Sequence, residues 1–422
     1  LDANISTGGN YTGTVAGWCS GTMTNITVEG SVIKATDYCA AGVVGRFNGP
    51  KLENCVFTGT ITGAGENAGI VGTIAGQAVG SHLQAHGSIT VAGLANTTWK
   101  SVGGIAGTAL PGNDCQALIT DCYSDMQITS KVPSPYVGGV VGSILEATVQ
   151  RSFNAGPISA VSETSGTTTK GAVGGVAGNI YGGEMYDCYN GNIVINSAAS
   201  NNVGGVIGVN NAIVTNSLNQ GYVSGGNSVG GVIGYNNYRT TNKQLLSTGV
   251  VYSFANLDKL GTVFGSYNAS NTVTADCYYD SQLAGKNAGN ALAVDGVSKL
   301  PTASLVSGEA LKGLDAEQWD YVKGQYPVLK AFASEPAAQF NRGNYILFAS
   351  EGKTDSRFSV RYASEVVAQK GVTFALKNAK NFTLSGTTLN IAAITEVERD
   401  TLTFTSGNYT KQYPLFAAPK ML

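Results

Sequence analysis

The sequence predicts an all-β chain, most of it a right-handed parallel β-helix (β-solenoid) of about nine coils. Three observations predict it. A Gly-Gly-apolar-apolar-Gly string recurs along the first two thirds of the chain, and Gly makes up 57 of 422 residues, about twice the usual ~7%. Between the glycines lie short β-branched segments with no helical periodicity.

The string reads Gly103-Gly104-Ile105-Ala106-Gly107, Gly138-Gly139-Val140-Val141-Gly142, Gly174-Gly175-Val176-Ala177-Gly178, Gly204-Gly205-Val206-Ile207-Gly208 and Gly230-Gly231-Val232-Ile233-Gly234. Weaker copies end at Gly17, Gly45, Gly72 and Gly265. Successive final glycines lie 28, 27, 35, 35, 36, 30, 26 and 31 residues apart. A second segment follows each copy. Its polar column is Asn25, Asn54, His82, Asp121, Arg151, Asp187, Asn216, Tyr252 and Asp276, and the next is Ile26, Cys55, Leu83, Cys122, Ser152, Cys188, Ser217, Ser253 and Cys277. Aromatics follow at Tyr123, Phe153, Tyr189, Phe254 and Tyr278. Val32, Ile61, Ile89, Ile128, Ile158, Val194 and Val223 close the pattern.

Each repeat thus supplies one three-strand coil. Adjacent coils stack at the ~4.8 Å spacing of paired strands, because a lone coil has no partner against which to bury its apolar side. The double Gly suits a sharp turn or a close approach of two backbones. The right hand follows from the general rule for parallel crossovers. An insertion spanning Tyr235 to Val250 is expected in the eighth copy.

Gly-Gly-Val-Ile-Gly together with Asp-Cys-Tyr and the later Gly221-Tyr222-Val223 resembles the GLUG motif, over roughly residues 10–280. That motif forms tandem repeats in bacterial surface and adhesin-like proteins and in accessory regions of IgA-specific metallopeptidases. The resemblance implies a surface location and a β-solenoid, with no common catalytic residue. Trp319-Asp320-Tyr321 followed by Tyr326-Pro327-Val328-Leu329 is similar to the way such arrays close.

Three domains are expected: the solenoid over 1–280, a cap with a short helix and linker over 281–335, and an Ig-like β-sandwich over 336–422. The helix is placed from Thr302, as N-cap, through Leu314. With Trp319 it is expected to cover the open last coil. Beyond 336, alternating runs such as Phe358–Tyr362 and Val372–Leu376 predict strands at sandwich spacing.

Charged residues are only 12% of the chain and the net charge is −2, which gives no footprint for nucleic acid. Acidic residues outnumber basic ones up to about residue 333, and the balance reverses beyond. No apolar run reaches the ~20 residues of a membrane span. Leu1 reads as the start of a mature or trimmed chain whose export signal has been removed. An extracellular or cell-surface monomer is expected.

The residues that first suggest chemistry fall into the repeat. Cys55, Cys122, Cys188 and Cys277 share one column two or three coils apart, beyond the ~7 Å Cα limit of a disulfide. They read as buried thiols, leaving Cys19 and Cys39 as the one pair to consider. There is no Cys-x-x-Cys, and His82 and His86 lack the Glu of a His-Glu-x-x-His zinc motif. No metal and no cofactor are expected. Asp121, Arg151 and Asp187 read as an ionic ladder with Arg151 between two carboxylates, and the aromatic column as an internal ladder.

Function is left to the places where the repeat breaks. The stretches Leu94–Lys100, Ser130–Tyr136 and Val161–Lys170 all precede a Gly-Gly strand and would project from one corner, and Tyr235–Leu246 from another. Trp99, Tyr235, Tyr238 and Arg239 are therefore the candidate binding residues. The expected function is an adhesin-like scaffold presenting loops to a host or dietary glycan or a surface protein, not an enzyme. A polysaccharide lyase or glycoside hydrolase on a β-helix and a non-binding spacer are the alternatives.

Overall fold

The computed structural model describes the chain apart from residues 1–3, 8, 36–37, 93–100, 133–134, 161–170, 197–201, 250, 254, 282–293, 336–343, 347–358, 363–372, 381, 386–387, 392–397, 407–408 and 418–422. Strands dominate, and the α-helical content of the described residues is the single turn Thr302–Leu305. Up to Leu300 every paired strand in the described residues runs parallel to its neighbour, the arrangement of a β-solenoid.

One long parallel sheet of nine strands runs from Tyr11–Gly13 through Ser101–Gly103 and Ala172–Gly174 to Leu260–Gly261. Its register partners are Tyr11 and Cys39, Cys39 and Glu66, then Asn67, Val102, Val137, Val173, Val203, Val229 and Leu260 in succession. The steps between them reproduce the glycine spacings of the sequence. Each repeat therefore advances the chain by one rung. A second, 29-stranded sheet carries the remaining segments around the core.

The three motif glycines are needed for space rather than for positive φ. A Cβ on Gly138 would collide with the Val141 carbonyl, one on Gly139 with the Asn154 side chain, and one on Gly142 with the backbone of Val102 and Gly107. The close-approach reading of the double Gly therefore holds. The second glycine makes room for a buried amide ladder, in which Asn154 Nδ2 donates to Asn190 Oδ1 and Asn190 Nδ2 to Asn219 Oδ1, each at 2.8 Å. Such ladders satisfy buried polar groups from rung to rung.

The polar column marks a left-handed corner. Asn25, Asn54, His82, Asp121, Arg151, Asp187, Asn216 and Asp276 all have φ between 39° and 57°, where Asn and Asp are the favoured non-Gly residues. In the eighth copy that place belongs to Gln244 (φ 57°), not Tyr252. Ser217 pairs with Leu245 and Leu218 with Leu246, whereas Tyr252 pairs with Ser224 one strand later. Phe254 lies outside the described residues, and Leu246 holds the register of the aromatic column. The expected insertion also shrinks. Tyr235 pairs with Val209 and Thr241 with Ile213, so only the turn at 237–240 is longer, by two residues.

The corner reverses the strand's parity, so the Cys column points inward and the aromatic column outward. Cys55, Cys122, Cys188 and Cys277 are buried in the main core. All seven cysteines are free, Cys19 and Cys39 included. The internal aromatic ladder is thus corrected to an external one, and residues 302–333 cover it. The chain doubles back along the outside of the solenoid. Thr302 Oγ1 and Tyr326 Oη donate to Asp280 at the last rungs, Tyr278 Oη to the Lys312 carbonyl, and Gln244 Nε2 to the Gly313 carbonyl. Trp319 Nε1 then donates to Asn216 Oδ1, and the Phe332 ring reaches Phe153 at 5.4 Å and Tyr189 at 6.1 Å. Leu305, Leu314, Trp319, Tyr326, Val328 and Leu329 bury themselves on this face.

The segment is therefore a lateral strap rather than a plug for the last coil. Its helix stops at Leu305, with Pro301 as N-cap, because the Thr302 hydroxyl is engaged by Asp280 and Gly308 (φ 86°) turns the chain. Beyond it lie two antiparallel sheets. One holds Asn344–Ile346, Ser359–Tyr362, Thr388–Ile391 and Phe382–Ser385, and the other Thr373–Leu376, Glu398–Ser406 and Tyr409–Ala417.

Candidate binding surface

The residue that follows each final motif glycine forms one column: Trp18, Arg46, Thr73, Thr108, Ser143, Asn179, Val209 and Tyr235 are successive register partners. Facing it is the first residue of each of the first seven strands in the nine-stranded sheet, beginning Tyr11, Cys39 and Glu66. The tight Gly-Gly bend brings these two columns together along the solenoid axis. The middle rungs of this seam are filled by small polar residues that are nearly closed to solvent, namely Thr73, Thr108, Ser101 and Ser143.

The N-terminal rungs differ. Trp18 is 55% exposed and Tyr38 37%. The Tyr11 ring stands edge-on to Trp18 at 5.6 Å and to Tyr38 at 6.0 Å. The Arg46 guanidinium lies 5.0 Å from the Trp18 ring centre and 5.8 Å from that of Tyr11, within cation–π range. It donates through Nη1 to Tyr11 Oη at 3.2 Å and through Nε to Asn48 Oδ1 at 3.3 Å.

One rung on, Glu66 is buried. Thr73 Oγ1 donates to its Oε2 at 2.6 Å and Thr108 Oγ1 to its Oε1 at 2.8 Å. Burial pushes the Glu66 carboxyl above the usual carboxylate range, while the two hydroxyls and Arg46 pull it back. The Tyr38 phenol is raised by burial first and by Glu66 second. A partly exposed tryptophan ring beside a guanidinium can stack the apolar face of a sugar ring and donate to its polar substituents.

The residues expected from sequence are dispersed. Tyr235 lies half-buried in the same column as Trp18 and Arg46, but seven rungs away, about 33 Å at the usual strand spacing. Tyr238 and Arg239 sit together on the neighbouring turn, exposed, with the Arg239 guanidinium 5.6 Å from the Tyr238 ring centre. Trp99 lies outside the described residues, as do the stretches 94–100 and 161–170. The Ser130–Tyr136 stretch is held close at its two ends, Lys131 N donating to the Val91 carbonyl and the Pro135 carbonyl accepting from Ala172 N. The Trp18–Arg46 cluster was missed, although the residue after the final glycine could have been read as a column.

The ionic ladder is half present. Arg151 Nε and Nη2 grip the Asp121 carboxylate at 2.7 and 2.8 Å, and that contact holds Asp121 below the usual carboxylate range. Asp187 makes no ion pair with Arg151. Its carboxyl is raised by burial, with Arg151 lowering it only partly. His82 is exposed, and His86 Nδ1 lies 2.9 Å from Asp125 Oδ1, a contact that raises the imidazole's pKa. Among the described residues no group of three or more His, Cys, Asp or Glu could hold a metal ion, and no helix is long and apolar enough to cross a membrane. No family model, curated protein or solved structure matches the chain.

Proposed function

We propose that this chain is an extracellular or cell-surface, adhesin-like scaffold that holds a glycan against the aromatic cluster of its first rungs. The carrying observation is the exposed Trp18 ring beside Tyr11, Tyr38 and Arg46. An exposed tryptophan fixed by neighbours loses little entropy on binding, and its face suits the C–H face of a pyranose. The rest of the reading is a right-handed nine-coil solenoid of the GLUG-repeat type, with an Ig-like C-terminal module as spacer or second binding unit. Tyr238 and Arg239 form a second, smaller contact on another corner.

A glycan and host-matrix binding array, run beside a polysaccharide-depolymerisation assay, tests the proposal. Retention of a glycan by the intact chain, lost in Trp18→Ala at unchanged thermal midpoint, is the expected result. Turnover of a polysaccharide, or a chain that retains no glycan, would overturn it.

A further inference from the structure

Resting on the glycan-binding reading, the geometry points to a ligand with an acidic sugar at the Trp18–Arg46 cluster: a pyranose ring carrying a carboxylate, stacked on Trp18 with the carboxylate on the Arg46 guanidinium. The argument begins with the hydrogen bonds of Arg46. A guanidinium has five N–H donors in a planar fork, and the Tyr11 hydroxyl and the Asn48 amide oxygen take two of them. Both acceptors are neutral. No carboxylate among the described residues lies within ion-pair distance of Arg46.

Glu66, the acid whose carboxyl feels Arg46, is occupied elsewhere. Its two oxygens accept from Thr73 and Thr108 inside the seam. The cation is therefore held by rings and by two neutral acceptors, and the rest of its fork is left for an outside acceptor. Planar bidentate donors match carboxylates better than they match single hydroxyls. A neutral sugar would use the tryptophan and leave the remaining guanidinium donors without a charged acceptor.

Uronates and sialic acids both present this chemistry, so the test carries an arm for each. Titration calorimetry with the intact chain would compare a polyuronate oligosaccharide, a sialyl-oligosaccharide and their neutral, carboxyl-reduced counterparts. The expected result is binding of at least one acidic arm, weakened about 10- to 100-fold by carboxyl reduction or by Arg46→Gln, and weakened further as salt rises. Arg46→Lys keeps a cation near Glu66 but removes the fork, so it controls for stability and is expected to restore the thermal midpoint without restoring affinity. Equal binding of acidic and reduced arms would overturn the inference and leave the glycan-binding reading standing. No binding of any arm, by a chain that retains no glycan on the array, would remove both.

Discussion

At the scale of single residues, the left-handed corner separates residues that suit their backbone from those that do not. His82 (φ 52°) is exposed on a column otherwise rich in Asn and Asp. Imidazole is, with Asn and Asp, among the side chains enriched in αL geometry, and Asn adds a short polar group that hydrogen-bonds locally. His82→Asn is expected to keep the corner and raise stability by no more than about 0.5 kcal/mol, read as an unchanged or slightly raised midpoint in thermal denaturation; a clearly lowered midpoint would show that His82 does more than fill the corner. Asp187 and Asp121 should respond in opposite ways. The folded-state pKa of Asp187 is raised, so its ionised form works against folding above the ordinary carboxylate pKa, and that effect disappears as pH falls. Asp187→Asn should therefore stabilise at pH 7, with the gain shrinking toward pH 4. The folded-state pKa of Asp121 is lowered, so its contribution is present above the ordinary carboxylate pKa and is lost as pH falls through the folded value. Asp121→Asn should cost about 0.5–1 kcal/mol at pH 7, the modest worth of a partly exposed ion pair. Midpoints measured at both pH values check the pair of signs.

At the scale of elements, the strap and the thiol column carry separate predictions. Trp319 is fully buried on the outer aromatic face and bonded to Asn216. Trp319→Ala should cost about 3–5 kcal/mol, while a chain ending at residue 301 should expose the Phe153, Tyr189 and Tyr278 rings and bind a hydrophobic dye. Dye binding no greater than that of the full chain would show that the strap does not shield that face. The cysteines divide by burial: Cys19 and Cys115 are half-exposed, and the other five are buried. Burial pushes the Cys122 and Cys277 thiols up to about 12 and the Cys188 thiol higher still. A thiol reagent should therefore label two cysteines quickly in the native chain and the other five only on unfolding.

At the scale of the whole molecule, the solenoid was legible because its strongest constraint is steric and periodic. The glycine spacings match the strand register rung for rung, since those glycines stand where side chains would collide. The strap was not legible. Residues 302–335 carry no repeat, and their partners Asn216, Asp280 and Phe153 are distant in sequence. The eighth copy was misaligned because Leu246 replaced an aromatic and Tyr252–Phe254 imitated the missing pattern. The candidate site was legible only in part: Tyr238 and Arg239 lie side by side, whereas Trp18 and Arg46 are 28 residues apart and meet only through the strand register. The most direct test of glycan binding at the first rungs uses the three tryptophans of the chain. Titration with the glycan retained on the array should change the intrinsic tryptophan fluorescence of the wild type and of Trp99→Phe, but leave Trp18→Phe unchanged. A full response from Trp18→Phe, with loss in Trp99→Phe, would place the ligand elsewhere and contradict the account.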